Sequence, residues 1–246
     1  MSGRRESVKK DLIFIGVLIV IGAALIAYLL IRPGTDAVTA APAAGPAATS
    51  QAPGAAGGDA DRGHSPVERR QPGDPLALGD PDAPVALVVF SDYRCPFCAK
   101  FSRDTEPELV KRYVDAGQLR IEWRDYPIFG PQSMTAARAG RAAAEQGRFW
   151  EFNRAVYAAA PERSKADLAD EDLIGFARQA GVPDIDRFTA SMRGSTFDDA
   201  INADLAQGTG IGVPSTPAFL INDVPMLGAQ PTDDFVTAID GALAKR

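Results

Sequence analysis

Apolar residues follow three regimes along the chain. Leu12 to Ile31 is an unbroken run of 20 residues without a charge, long enough to cross a bilayer as a helix. Arg4, Arg5, Lys9 and Lys10 precede it and only Arg32 follows closely; this bias keeps the N-terminus cytoplasmic and sends the remainder across the membrane. The rival reading is a cleaved signal peptide with Val38-Thr39-Ala40 as its processing site. Signal h-regions are shorter than this run, which favours a retained anchor. From Pro33 to Arg62, 20 of 30 residues are Ala, Gly or Pro, so the stretch cannot bury enough apolar surface to offset its ordering entropy. It reads as a flexible tether. The expected organisation is a basic cytoplasmic segment (1–11), a transmembrane anchor (12–31), a linker (32–75) and one folded domain (76–246).

Within the folded part the periodicity changes repeatedly. Val85 to Phe90 is a continuous, β-branched apolar run that predicts a buried strand. A helix is expected next, to about Ala116, with Phe97, Phe101, Leu109, Val110, Tyr113 and Val114 inward, Gly117 as the stop and a break at Pro107. Leu119 to Asp125 predicts a second strand. A long helical region, about 131–208, carries apolar residues at helix spacing: Phe149, Phe152, Val156 and Tyr157, then Leu173, Phe176 and Ala177, then Phe197, Ile201 and Leu205. Ser133 is the expected N-cap of its first helix. Ala218–Ile221 and Val224–Leu227 flank Asn222-Asp223 as a hairpin, and Thr232 is expected to cap a last helix.

Net charge is −6, which argues against nucleic acid as a partner, since that needs a basic surface. The chain holds two cysteines and one histidine, His64 in the tether. That scarcity excludes a four-ligand structural zinc site, and Ala99 stands where a c-type haem site needs His after the second Cys. No metal is expected.

The two cysteines form one unit, Cys95-Pro96-Phe97-Cys98. One helical turn brings both sulfurs to one face, within disulfide range. The strand-to-helix junction places Cys95 at the helix N-terminus, where unpaired N–H groups and the helix dipole favour a thiolate. Cys98, one turn deeper, is the expected resolving thiol. A bridge closing so short a loop stabilises little, which favours redox work over an inert structural disulfide.

The stretch Phe90 to Cys98, FSDYRCPFC, resembles the active-site segment of the DsbA-like thioredoxin-fold oxidoreductases, and GVPSTPAF, Gly212 to Phe219, is similar to the segment carrying their cis-proline. The resemblance covers about Leu76 to Arg246. It implies an α/β, thioredoxin-like fold with an inserted helical domain. It also implies that Pro217 is the cis-proline beside the cysteines, with Pro214 as a competing position, and that Thr216 offers its backbone to an extended substrate. Many relatives carry a buried acid six residues before the first Cys; here that position is Val89. Asp92 is either an exposed turn residue or a buried charge opposing the thiolate. Tyr93 and Phe97 either line a substrate surface or belong to the core. Pro96 and Phe97 tune the couple.

These readings converge on an extracytoplasmic dithiol oxidase with no cofactor beyond the Cys95–Cys98 disulfide. Its expected partners are cysteine-containing substrate proteins, a membrane redox partner that reoxidises the pair, and the bilayer through residues 12–31. The alternatives are a reductase or isomerase using the same pair, and a tethered peptide-binding or chaperone-like module whose disulfide is structural.

Overall fold

The computed structural model describes residues 65–245; the expected anchor, His64 and the Ala/Gly/Pro-rich stretch lie outside them. Among the described residues no helix is long and apolar enough to cross a membrane. The elements are Ala77–Leu78 (β1), Val85–Ser91 (β2), Pro96–Asp104 (α1), Glu106–Leu109 (α2), a wide helical turn at Val110–Val114 and Leu119–Asp125 (β3). There follow Pro131–Ala144 (α3), Phe149–Ala159 (α4), Asp170–Gln179 (α5), Ile185–Arg193 (α6) and Asp198–Gly210 (α7). Ala218–Ile221 (β4), Val224–Leu227 (β5) and Thr232–Leu243 (α8) close the chain. The fold is a thioredoxin-like mixed sheet, in the order β1-β3-β2-β4-β5, with α3 to α7 inserted between β3 and β4.

β2 is the centre of the sheet. It pairs in parallel with β3, Val85 opposite Leu119 through Ser91 opposite Asp125, and antiparallel with β4, Phe90 opposite Ala218. Every residue of β2 is buried. The strand repeat sends Val85, Leu87 and Val89 into the main core and Val88 and Phe90 into a second cluster with Val67, Tyr126 and Ala218. On the main-core side Phe101 of α1 packs against Phe219 of β4 and Phe235 of α8, ring centroids 4.6 and 5.3 Å away. On the other side α7 comes very close to the sheet at Gly208, where a Cβ would stand 2.6 Å from Tyr126 Cε2. Only glycine permits that approach.

Several local expectations shift. The helix break falls at Thr105, ahead of Pro107, because Pro107 sits in the first turn of α2, where its missing N–H leaves no bond unmade. Ser133 does not cap α3: the helix begins at Pro131 after Gly130, and Ser133 is buried one turn in. Thr232 is the first residue of α8, not its cap, and its hydroxyl meets Thr105 Oγ1 at 3.0 Å.

The largest difference concerns the linker, expected to reach residue 75. Residues 65–75 are docked on the sheet. Glu122 of β3 accepts hydrogen bonds from the backbone N–H groups of Arg69 (2.8 Å) and Arg70 (2.7 Å), and from the side chains of Arg120 (2.8 Å) and Arg124 (2.9 Å). Arg124 also donates to the Val67 carbonyl at 2.6 Å. The scarcity of large apolar side chains suggested a tether, but one buried carboxylate supplies partners that hold this backbone in place. A second cluster joins the insertion to the sheet: Arg141 of α3 bridges Asp125 (2.6 Å) and Asp204 of α7 (2.7 Å).

Burial alone would raise the Glu122 pKa, but its donors outweigh burial and hold it from the usual 4.5 down to about 2. A depressed carboxylate contributes stability that is complete above its unfolded value and lost as pH falls through its folded one. Glu122→Gln is therefore expected to lower the unfolding free energy at neutral pH by about 3–5 kcal/mol in urea titrations. The variant should also lose part of the wild-type decline in stability between pH 4.5 and about 2.

Candidate active site

β2 ends at Ser91, and the chain turns through Asp92-Tyr93-Arg94 into α1, with Cys95 as its N-cap and Pro96 at its start. Asp92 builds that turn. It is buried, with 1% of its surface exposed. One carboxylate oxygen accepts from Arg94 N–H at 2.8 Å and the other from Ile128 and Phe129 N–H at 2.8 and 3.2 Å. The Asp92 carbonyl accepts from Cys95 N–H at 3.0 Å and from the Tyr157 hydroxyl at 3.1 Å. Burial pushes the Asp92 pKa up, against these bonds. Of the two readings of Asp92, exposure fails. Its carboxylate oxygens are committed elsewhere, one to its own turn at Arg94 and one to the loop after β3, which it pins beside the cysteines.

Both cysteines are free thiols and almost wholly buried, Cys95 2% and Cys98 1% exposed. The Cys95 pKa is lowered from 9.0 to about 6. The main cause is a hydrogen bond from Cys98; burial opposes it, and Thr216 and the backbone N–H groups of Cys98 and Phe97 assist. Those amides are the unpaired donors of the first turn, near enough to favour a charged sulfur although neither closes a full capping bond. The neutral Cys95 thiol donates to the Thr216 carbonyl at 3.2 Å. Thr216 Oγ1 is buried without a partner among the described residues, so its hydrogen can turn to the sulfur once the sulfur is charged.

Cys98 behaves oppositely. Burial, the bond it gives Cys95 and the charge on Cys95 push it well above 9.0, with Ser91 and the Asp92 amide opposing. One negative charge serves the pair, and it resides on the outer sulfur.

The other expected site residues separate. The Thr216–Pro217 peptide is cis and the Pro214 peptide is not, so Pro217 stands beside Cys95 through Thr216. Tyr93 is core: it is 1% exposed and packs against Tyr157, Trp123 and Phe152 with centroids 5.5, 5.3 and 5.9 Å away. Phe97 is surface, 59% exposed on the first turn of α1. Exposed Ile128 lies on the loop that Asp92 pins, adding a second apolar contact point nearby.

Sequence reasoning missed Ser91 and Tyr157, whose hydroxyls meet at 2.9 Å beneath Cys98. Ser91 lay within the recognised motif but carried no distinguishing signal. Tyr157 was placed in a helix stripe, and its 66-residue separation from Ser91 leaves no local mark.

A family model described as thioredoxin, Thioredoxin_4, matches residues 71–241. The probable disulfide bond formation protein D of Bacillus anthracis is 26% identical over 173 residues, covering 69% of this chain and 78% of that protein. The crystal structure of oxidised BdbD from Bacillus subtilis shares the fold with a TM-score of 0.65 at 24% identity, over 70% of this chain and 94% of that one. The Na(+)/H(+) antiporter NhaA 1 of Salinispora arenicola (strain CNS-205) is 31% identical over 173 residues, 68% of this chain. The chain spans about a quarter of that antiporter's length, 24%.

Ultraviolet titration of thiolate absorbance in the reduced protein is expected to show one sulfur ionising at about pH 6. Cys98→Ala removes the main stabilising bond and should move that midpoint up toward an ordinary thiol. An unchanged midpoint would place the cause in the helix amides instead.

Proposed function

Because the chain belongs to the thioredoxin family, among its DsbA-like disulfide oxidoreductases, we propose that it is a dithiol oxidase acting outside the cytoplasm and tethered to the membrane through residues 12–31. The observation that carries the direction of electron flow is the low pKa of Cys95, about 6. At neutral pH the reduced protein holds a stabilised thiolate. Stabilising the reduced form makes the disulfide a stronger oxidant. A lowered thiol pKa contributes above its folded value, so the effect is full near pH 9.0, is reduced at neutrality and vanishes below pH about 6.

In the oxidised protein a substrate thiolate attacks Cys95 Sγ. The Cys95–Cys98 bond breaks, a mixed disulfide forms on Cys95, and Cys98 leaves as a thiolate that must gain a proton. A second thiolate of the substrate then attacks the substrate's own sulfur in the mixed disulfide. Cys95 departs as a thiolate, for which its low pKa suits it. Two electrons have passed to the enzyme, and a disulfide has formed in the substrate. Thr216, buried beside Cys95, offers its carbonyl to the extended chain of the substrate, while Phe97 and Ile128 receive apolar side chains. A membrane redox partner then removes the two electrons and restores the bridge.

Equilibration with glutathione is expected to give a reduction potential well above the roughly −270 mV of thioredoxin. A value at or below that would reverse the proposed direction and favour a reductase. Cys95→Ser should abolish exchange with a reduced dithiol peptide while keeping the wild-type melting transition, and fractionation of the producing cells should recover the full chain with membranes.

A further inference from the structure

The exchange requires Cys98 to accept or release a proton in every cycle, yet this sulfur is buried and its pKa is high. The structure provides a place for that transfer. Cys98 opens onto a cavity of about 10 Å³, lined also by Val89, Ser91, Glu106, Trp150 and Tyr157. That is room for one water. The Trp150 indole N–H, on a residue 8% exposed, has no partner among the described residues, and so offers a donor to such a water.

Most of the lining cannot exchange a proton near neutrality. Val89 has none to give. The Ser91 and Tyr157 hydroxyls are bonded to each other at 2.9 Å, and burial and the neighbouring Cys98 charge push the Tyr157 phenol far up. Asp92, close by in the chain, does not line the cavity, and its oxygens accept from three backbone amides. Glu106 differs. Its carboxyl is buried at the start of α2, and burial raises its pKa from 4.5 to about 7. Its one counter-charge among the described residues is Arg154 of α4, a single contact of 3.4 Å from a side chain 46% exposed. Tyr93, behind the cavity, feels the same carboxylate.

Four donors hold Glu122 ionised at about 2; a carboxylate kept for structure is satisfied in this way. Glu106 has one distant donor, so both of its protonation states are accessible where the enzyme works. It also lies between the cavity and the half-exposed Arg154, which gives its proton a route to solvent.

We propose that Glu106 is the proton-transfer group for Cys98, acting through one water in the cavity they share; this rests on the disulfide exchange assigned to Cys95 and Cys98. When the Cys95–Cys98 bond is broken by a substrate thiolate, the departing Cys98 sulfur takes a proton from the water, which takes the Glu106 proton, leaving a carboxylate that is reprotonated from solvent past Arg154. In the reverse direction the Glu106 carboxylate receives the Cys98 proton through the same water, and the Cys98 thiolate attacks Cys95 Sγ and expels the substrate sulfur.

The test loads Cys95 of the full chain with glutathione and follows its release by Cys98 as a function of pH. In the wild type the rate should rise with pH and level off above about 7, the Glu106 value. Glu106→Gln keeps the shape and cannot carry the proton; its release should be about a hundredfold slower at pH 7 and climb without a plateau into the alkaline range, with the Cys95 titration unchanged. Glu106→Asp should recover part of the rate. A Gln variant with the wild-type profile would overturn the proposal and leave the cysteine assignment standing; a wild type that forms no mixed disulfide would overturn both. Should the Gln variant fail to fold, Arg154→Met serves instead: losing the cation should move the inflection to higher pH, and a fixed inflection would overturn the proposal.

Discussion

Two sulfurs one helical turn apart share a single negative charge, and the rest of the site serves that sharing. The Cys98 thiol, by donating to Cys95, stabilises the outer thiolate, and the resulting charge in turn suppresses ionisation of Cys98. Each shift reinforces the other, with burial adding to the rise of Cys98, so the pair titrates as a unit. The asymmetry comes from position. Cys95 stands at the N-cap of α1, facing the first-turn amides and Thr216, whereas Cys98 lies over Ser91 at the end of the central strand. A low-pKa sulfur that leaves easily and a high-pKa sulfur that holds its proton divide the chemistry between them.

That arrangement depends on how precisely the end of β2 is held. The strand is buried on both faces and paired along both edges, by β3 over its whole length and by β4 over half of it. The same pairing to β4 brings Thr216 and Pro217 beside the start of α1. Asp92 then ties the turn after β2 to the loop after β3 through backbone amides. The ion clusters around Glu122 and Arg141 anchor the N-terminal segment and the helical insertion to β3, fixing the strand that forms one wall of the Cys98 cavity through Ile121 and Trp123.

Three buried carboxylates, Asp92, Glu106 and Glu122, show what decides the behaviour of such a group. All are almost fully removed from water. Glu122, with two backbone and two guanidinium donors, stays firmly ionised. Asp92 has three backbone donors, and burial still prevails. Glu106, with one distant guanidinium, sits near neutrality. Burial is common to all three; the number and charge of donors separates them.

What the linear sequence determined was everything that rests on local pattern. The continuous, β-branched apolar run of Val85 to Phe90 predicted a buried strand, and a Cys-Pro-Phe-Cys unit directly after it predicted a helix with Cys95 at its N-terminus. Strand β3, the Asn222-Asp223 hairpin and the helical block between the strands were legible for the same reason: alternation, helix spacing and turn residues are short-range signals. Only the tertiary structure decided what depends on partners far away in the chain. It made Asp92 a buried turn-builder and Tyr93 core, while leaving Phe97 outside. It docked residues 65–75, polar and unpromising in themselves, onto Glu122. It brought Glu106 and Tyr157 to the back of Cys98. Burial and hydrogen bonding set the state of these groups, and both are properties of neighbours that the periodicity of a single segment does not name.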